Sequence, residues 1–321
     1  MAHDKTVERF DLMTPTRATA WTSVANLGHG YDSLALAVDL AADIVTVSPA
    51  DRDTLTVGGP QSDSAPADFA TNTATVAITA LREAHQLRDP IHVHIEKHVR
   101  SGSGTGSSAA SAAAAVFAYA AACDLGLSRE ELTRFAAEGE RASAGTAHPD
   151  NVAAALFGGF TICWRDPHPL VVPLAVPQHW RFVLARPEQV LRTEASRAAV
   201  PATVTIAEHV AGCAGTARIV AALARNDVRL FGAAIQNGLV DRARAPLITG
   251  FAAARDAALS AGAVGVCLAG SGPTLMAVTA DAENAEGIAA AMRDGFAASG
   301  VRSESFVTAA AQGARLLPVG D

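Results

Sequence analysis

Three glycines alternate with serine and threonine in Gly102-Ser103-Gly104-Thr105-Gly106, and Ser107, Ser108 and Ser111 follow inside a run rich in alanine. Backbone without a Cβ can approach a ligand closely, and the first turn of a helix offers unpaired N–H groups with a partial positive charge. A glycine-rich entry into a helix is therefore a cradle for phosphate oxygens, with the Ser107 and Ser108 hydroxyls as further donors. A flexible turn capped by serine would account for one glycine and one serine, but not for this run. Other phosphate patterns fit less well. No lysine follows Gly106, as a Walker loop requires. Gly104, Gly106 and Ala109 satisfy the G-x-G-x-x-A form of the dinucleotide fingerprint, but the order of elements is not that of a doubly wound sheet.

Two further sets of residues invite a metal reading and decline it. His92, His94, Glu96 and His98 lie at period two on one strand face, an alternation that any half-exposed strand produces. Cys123, Cys163, Cys213 and Cys267 are far apart with no C-x-x-C pair, which fits neither a disulfide framework nor a zinc site. All four are expected to be small buried hydrophobes.

The elements that must position the loop follow from periodicity. Ile44 to Val47 and Leu55 to Val57 read as strands, and the polar stretch from Gly58 to Pro66 as a surface loop. Ala74 to Leu87 is helical, Ile91 to Lys97 alternates as a half-buried strand, and Ser107 to Ala122 is the strongest helix. Ser128 and Glu131 form a capping box for the next helix. Prolines at 167, 169, 173 and 177 place a domain junction between residues 163 and 180, with Trp180 to Ala185 opening the second half as a strand. Helices at Ile206 to Arg225 and Phe251 to Ala261, strands at Gly265 to Leu268 and Leu275 to Thr279, a helix capped by Asp281 and a last strand at Ser305 to Thr308 complete an α+β chain.

A chain of 321 residues, half of them apolar, can build two packed domains. Aromatics at 5% and a net charge of -7 without a Lys/Arg cluster speak against nucleic acid as a partner. The segment Met1 to Leu12 has no apolar h-region, and no later segment reads as a membrane span, so a cytoplasmic protein without a membrane partner is expected.

Three motifs in order resemble the GHMP kinases. The family's N-terminal S-A-N-L-G-x-G-F-D stands here as Val24-Ala25-Asn26-Leu27-Gly28-His29-Gly30-Tyr31-Asp32; the phosphate loop is the second; Leu268-Ala269-Gly270-Ser271-Gly272-Pro273-Thr274 is similar to the C-terminal glycine-rich turn. The run from Glu140 through His148-Pro149-Asp150-Asn151, closing in Phe157-Gly158-Gly159-Phe160, resembles the homoserine kinase branch. The resemblance implies a two-domain fold: an N-terminal mixed α/β nucleotide-binding domain over residues 1–165 and a C-terminal ferredoxin-like α/β sandwich over residues 166–321. It implies ATP and magnesium as cofactors and phosphorylation of the L-homoserine hydroxyl, a step of threonine biosynthesis, with a homodimer among the possible assemblies.

By the same resemblance, Gly102, Ser103, Gly104, Thr105, Gly106, Ser107, Ser108 and Asn72 contact the nucleotide, and Ser107 with Glu140 holds the metal. Asn26, Asp32, Thr193, Arg197 and Arg244 contact the amino acid, while Asn151 lies near the reacting hydroxyl. Two arginines suit a carboxylate. Asp32 is either a base or a ligand of the substrate ammonium. Departures from the family pattern are Trp21, Arg100 and Thr249 in place of prolines and Thr105 in place of leucine; they leave open a kinase for another small alcohol, or a silent ligand sensor.

Overall fold

The computed structural model describes residues 14–144, 148–164, 170–191 and 193–318. The chain opens with two long antiparallel strands, β1 (Thr16–Ala25) and β2 (Leu34–Pro49), followed by β3 (Thr54–Gly58) and α1 (Thr73–Ala84). Then come β4 (Ile91–Glu96), α2 (Ser107–Ala122), α3 (Arg129–Ala144), α4 (Pro149–Phe157), β5 (Phe160–Trp164) and β6 (Leu170–Leu174). β1 to β6 belong to one seven-stranded sheet, antiparallel except where β3 runs parallel to β4.

The second half supplies β7 (Arg181–Pro187), α5 (Thr193–Ala198), α6 (Ile206–Ala224), α7 (Val228–Ile235), α8 (Leu239–Arg244) and α9 (Phe251–Ser260). It continues through β8 (Gly265–Leu268), β9 (Leu275–Thr279), α10 (Ala285–Ala298) and β10 (Ser303–Thr308). These four strands form an antiparallel sheet in the order β10-β7-β9-β8, the arrangement expected of a ferredoxin-like sandwich. A last strand, β11 (Arg315–Leu317), returns to the first sheet and pairs with β1. The passage between the sheets therefore runs from Leu174 to Arg181, and the second sheet's sequence lies inside that return.

Local sequence explains the elements that frame the site. In β4, Ile91, Val93 and Ile95 are buried while His92, His94 and Glu96 are half-buried, and both histidines hydrogen-bond to threonines of the neighbouring strand β3. Among the described residues no group of His, Cys, Asp and Glu could hold a metal on its own, and the histidine face is not one. Helix α2 is buried almost all round, because alanine side chains let it lie close against the sheet and α1, α3 and α4. The Ser128–Glu131 capping box forms as expected.

Several expectations need correction. α1 stops at Ala84 rather than Leu87, because Gln86 takes a positive φ of 57° and the Leu87 N–H turns back to the Arg82 carbonyl. Asp281 accepts from the Glu283 and Asn284 N–H groups in a turn ahead of α10, which starts at Ala285. Cys213 is exposed on α6, unlike the other three cysteines, which are buried. α6 itself, with 19 residues, is long and apolar enough by composition to cross a membrane, and only 22% of its most apolar window is buried.

Candidate active site

The three loop glycines all need the conformation that only glycine adopts without strain: φ is 72° at Gly102, 78° at Gly104 and 64° at Gly106. Space is as restrictive as conformation. A Cβ on Gly104 would lie 2.5 Å from the Ala269 carbonyl oxygen, and one on Gly106 would lie 2.1 Å from Ser23 Oγ. The loop thus lies against the C-terminal glycine-rich turn on one side and the first motif on the other. Its own hydroxyls hold its shape, since Ser103 Oγ donates to the Arg100 carbonyl and shares a 2.6 Å hydrogen bond with Thr105 Oγ1.

A buried ion pair lies beneath. Lys97 donates to Asp43, to the Ser107 carbonyl and to Ser111 Oγ, and Asp43 also accepts the His98 and Val99 N–H groups at 2.9 Å each. Both ends of the loop are tied to one carboxylate. Burial lowers the Lys97 pKa, and Asp43 acts against that shift.

In front of the α2 start a cavity of about 320 Å³ opens, lined by the loop from Gly102 to Ser108 and by Asn26, Asn151, Arg197 and Arg244. Glu140 of α3 faces it. Burial raises the Glu140 pKa to about 7, with the Ser108 hydrogen bond acting against burial and Asp150 adding to it. The metal pair expected from the sequence was Ser107 with Glu140. Ser107 Oγ donates its proton to the Val99 carbonyl at 2.7 Å, whereas Ser108 is the serine hydrogen-bonded to Glu140. A buried carboxylate with a hydroxyl oxygen beside it, open to a cavity, is a donor set that fits a magnesium ion.

The first motif and the two arginines form another part of the lining. Asn26 and Asp32 both have positive φ, 62° and 52°, and Asn26 Oδ1 accepts the Asp32 N–H at 2.9 Å, which closes the first motif on itself. The Asp32 carboxylate lies 3.5 Å from Arg197 and 3.4 Å from His148. Arg244 is 1% exposed; its Nε–H donates to the Ser196 carbonyl and an Nη1–H to the Gly270 carbonyl. Asn151 Oδ1 accepts from Ser23 Oγ at 2.9 Å.

The structure gathers nearly every sequence-derived site residue around this cavity. Asp32 stands just behind its wall through Arg197 and His148, and the Thr193 side chain lies outside the described residues, as do Gly145, Thr146 and Ala147. Asn72 lines the cavity but spends its side chain as the helix cap that its position suggests: Oδ1 accepts the Ala74 N–H and Nδ2 donates to the Pro66 carbonyl. Ser64 to Pro66, read as part of a surface loop, supplies a wall. Sequence reasoning missed Lys97 and Asp150. Asp150 is 2% exposed at the start of α4, and burial followed by the nearby Asp32 charge raises its pKa to about 6. A charged residue at the apolar end of β4, and an acid beside asparagine after proline, were the available signals.

Comparison with known proteins agrees with this geometry. The family model for the GHMP kinase N-terminal domain matches residues 72–159, and that for the C-terminal domain matches residues 219–298. The chain is 41% identical over 304 residues to homoserine kinase of Haloquadratum walsbyi, covering 95% of this chain and all of that one. The crystal structure of homoserine kinase from Cytophaga hutchinsonii superposes with a TM-score of 0.88 at 34% identity, covering 95% of this chain and 98% of the other. The mevalonate kinase of L. major, at 15% identity and a TM-score of 0.68, shares the fold alone. With both halves matched and the phosphate loop in place before its helix, the chain belongs to the GHMP kinase family, in the homoserine kinase branch.

Proposed function

We propose that this chain transfers the γ-phosphoryl group of ATP to the side-chain hydroxyl of L-homoserine. The observation that carries the reading is a single cavity lined both by the glycine-rich loop and by Arg197 with Arg244. Phosphoryl transfer needs in-line positioning and neutralisation of charge more than a strong base. The loop amides and the α2 N-terminus would hold the phosphates, and Ser108 with Glu140 would hold magnesium, which when bound neutralises phosphate charge. Arg197 and Arg244 would take the substrate carboxylate, with Asn26 and Asp32 toward its ammonium and Asn151 near the hydroxyl. Asp32, tied to Arg197 and His148, suits an ammonium ligand better than a base.

The proposal extends to a cytoplasmic enzyme without nucleic-acid or membrane partners, supported by its composition. It includes a homodimer, for which the exposed apolar start of α6, with Ile206 79% and Val210 59% exposed, is the supporting observation. ADP release with magnesium-ATP against homoserine, threonine, serine, mevalonate and galactose tests the function. Homoserine should lead the panel; turnover only with mevalonate or galactose would overturn the assignment. Arg197→Ala should raise the homoserine KM about tenfold or more with a smaller change in kcat.

A further inference from the structure

Tyr31 stands where the N-terminal motif quoted above has phenylalanine, so its hydroxyl is an addition to the pattern. That hydroxyl accepts an Nη1–H of Arg197 at 3.1 Å. The ring of the same residue lies 5.5 Å from the guanidinium carbon of Arg244. One side chain therefore touches both of the arginines that line the cavity.

The two arginines need holding for different reasons. Arg197 is 30% exposed and, among the described residues, is otherwise held by the Asp32 carboxylate at 3.5 Å, which His148 shares. A long side chain gripped at one point keeps much of its rotamer freedom, and a second hydrogen bond to the fork removes it. Arg244 is buried, with two donors committed to backbone carbonyls. The negative face of an aromatic ring offsets part of the cost of keeping that cation out of water.

We propose that Tyr31 is a positioning and specificity-determining residue: its ring under Arg244 and its hydroxyl on Arg197 fix the two guanidiniums in one geometry, which selects acceptors carrying a carboxylate. The inference rests on the reading that these arginines bind the substrate carboxylate. Tyr31 does not touch the reacting atoms, so its effect is on binding. Phenylalanine keeps the ring and the packing and removes only the contact to Arg197.

The test is Tyr31→Phe in the full chain, assayed with L-homoserine and with 3-amino-1-propanol, which keeps the hydroxyl and the amine and lacks the carboxylate. Removing a hydrogen bond to a partly exposed charged group should raise the homoserine KM roughly five- to tenfold, with kcat within about twofold. The KM for ATP and the melting temperature should stay unchanged. Turnover of 3-amino-1-propanol should be unaffected, so the preference for homoserine narrows by the same factor. An unchanged homoserine KM, or an equal loss for both alcohols, overturns the inference. Tyr31→Leu, which also removes the ring, should raise the KM further; if that variant does not fold, Tyr31→Phe decides alone. A wild-type chain inactive on every hydroxy amino acid overturns the proposed function together with this inference, whereas an active wild type with an unaffected Tyr31→Phe overturns only the latter.

Discussion

In the proposed magnesium site a proton and the cation would compete for the buried Glu140. With its pKa raised to about 7 by burial, the carboxylate is partly protonated at neutral pH, and the protonated form is a poor magnesium ligand. Activity should therefore fall as pH drops through about 7, and excess magnesium should shift that limb to lower pH. A pH–rate profile at two magnesium concentrations checks both. Glu140→Gln should cost about a hundredfold or more in kcat and remove the limb. Asp150 adds to the Glu140 shift through its charge, so Asp150→Asn should move the limb to lower pH. The two serines separate cleanly. Ser108→Ala should weaken the magnesium dependence, while Ser107→Ala should leave it unchanged and cost about 1 kcal/mol of stability through the lost bond to Val99. Such adjacent serines look alike in a sequence, and only the helix phase tells which faces Glu140.

At the level of the element, the glycine-rich loop was legible because three residues in a row of five had no other physical reason to be glycine. Its partner, the turn at Gly270, was legible only as a motif; that Gly104 and Gly270 approach backbone to backbone depends on how the two halves pack. Gly104→Ala, strained at a φ of 78° and 2.5 Å from a carbonyl, should lower ATP affinity without touching any ATP-binding side chain; equilibrium nucleotide binding measures it. Short elements such as α5, α7 and α8 escaped because their apolar residues are too few to show a period. α8 contains a hidden acid. Asp241 accepts the Leu268 N–H, and burial raises its pKa to about 8. Its folded pKa lies above the unfolded one, so its contribution to stability is full at acid pH and is lost as pH rises through about 8. Asp241→Asn keeps the acceptor and should raise the melting temperature more at pH 8 than at pH 4.

The whole molecule is held by a core that belongs to both sheets. Phe231 of α7 meets Phe160 of the first sheet edge-on, with centroids 6.3 Å apart, and Trp180 at the entry to the second, 5.1 Å apart. Val24, Leu34 and Leu36 from the first sheet join Phe182, Cys267 and Met276 from the second in the same cluster. Phe231→Ala should cost about 3–5 kcal/mol, and calorimetry should show one cooperative transition lowered as a unit. Separate transitions for the two halves would contradict this picture. The alternation in the strands revealed each sheet's faces, but not that the two faces share one interior. The pairing of β11 with β1 has a consequence for biogenesis. During translation β1 leaves the ribosome long before the strand that completes its edge, so the nascent chain carries an open β edge through most of its synthesis. For that interval the young polypeptide is exposed to wrong partners, and a chaperone that shields extended strands would serve it until the tail arrives.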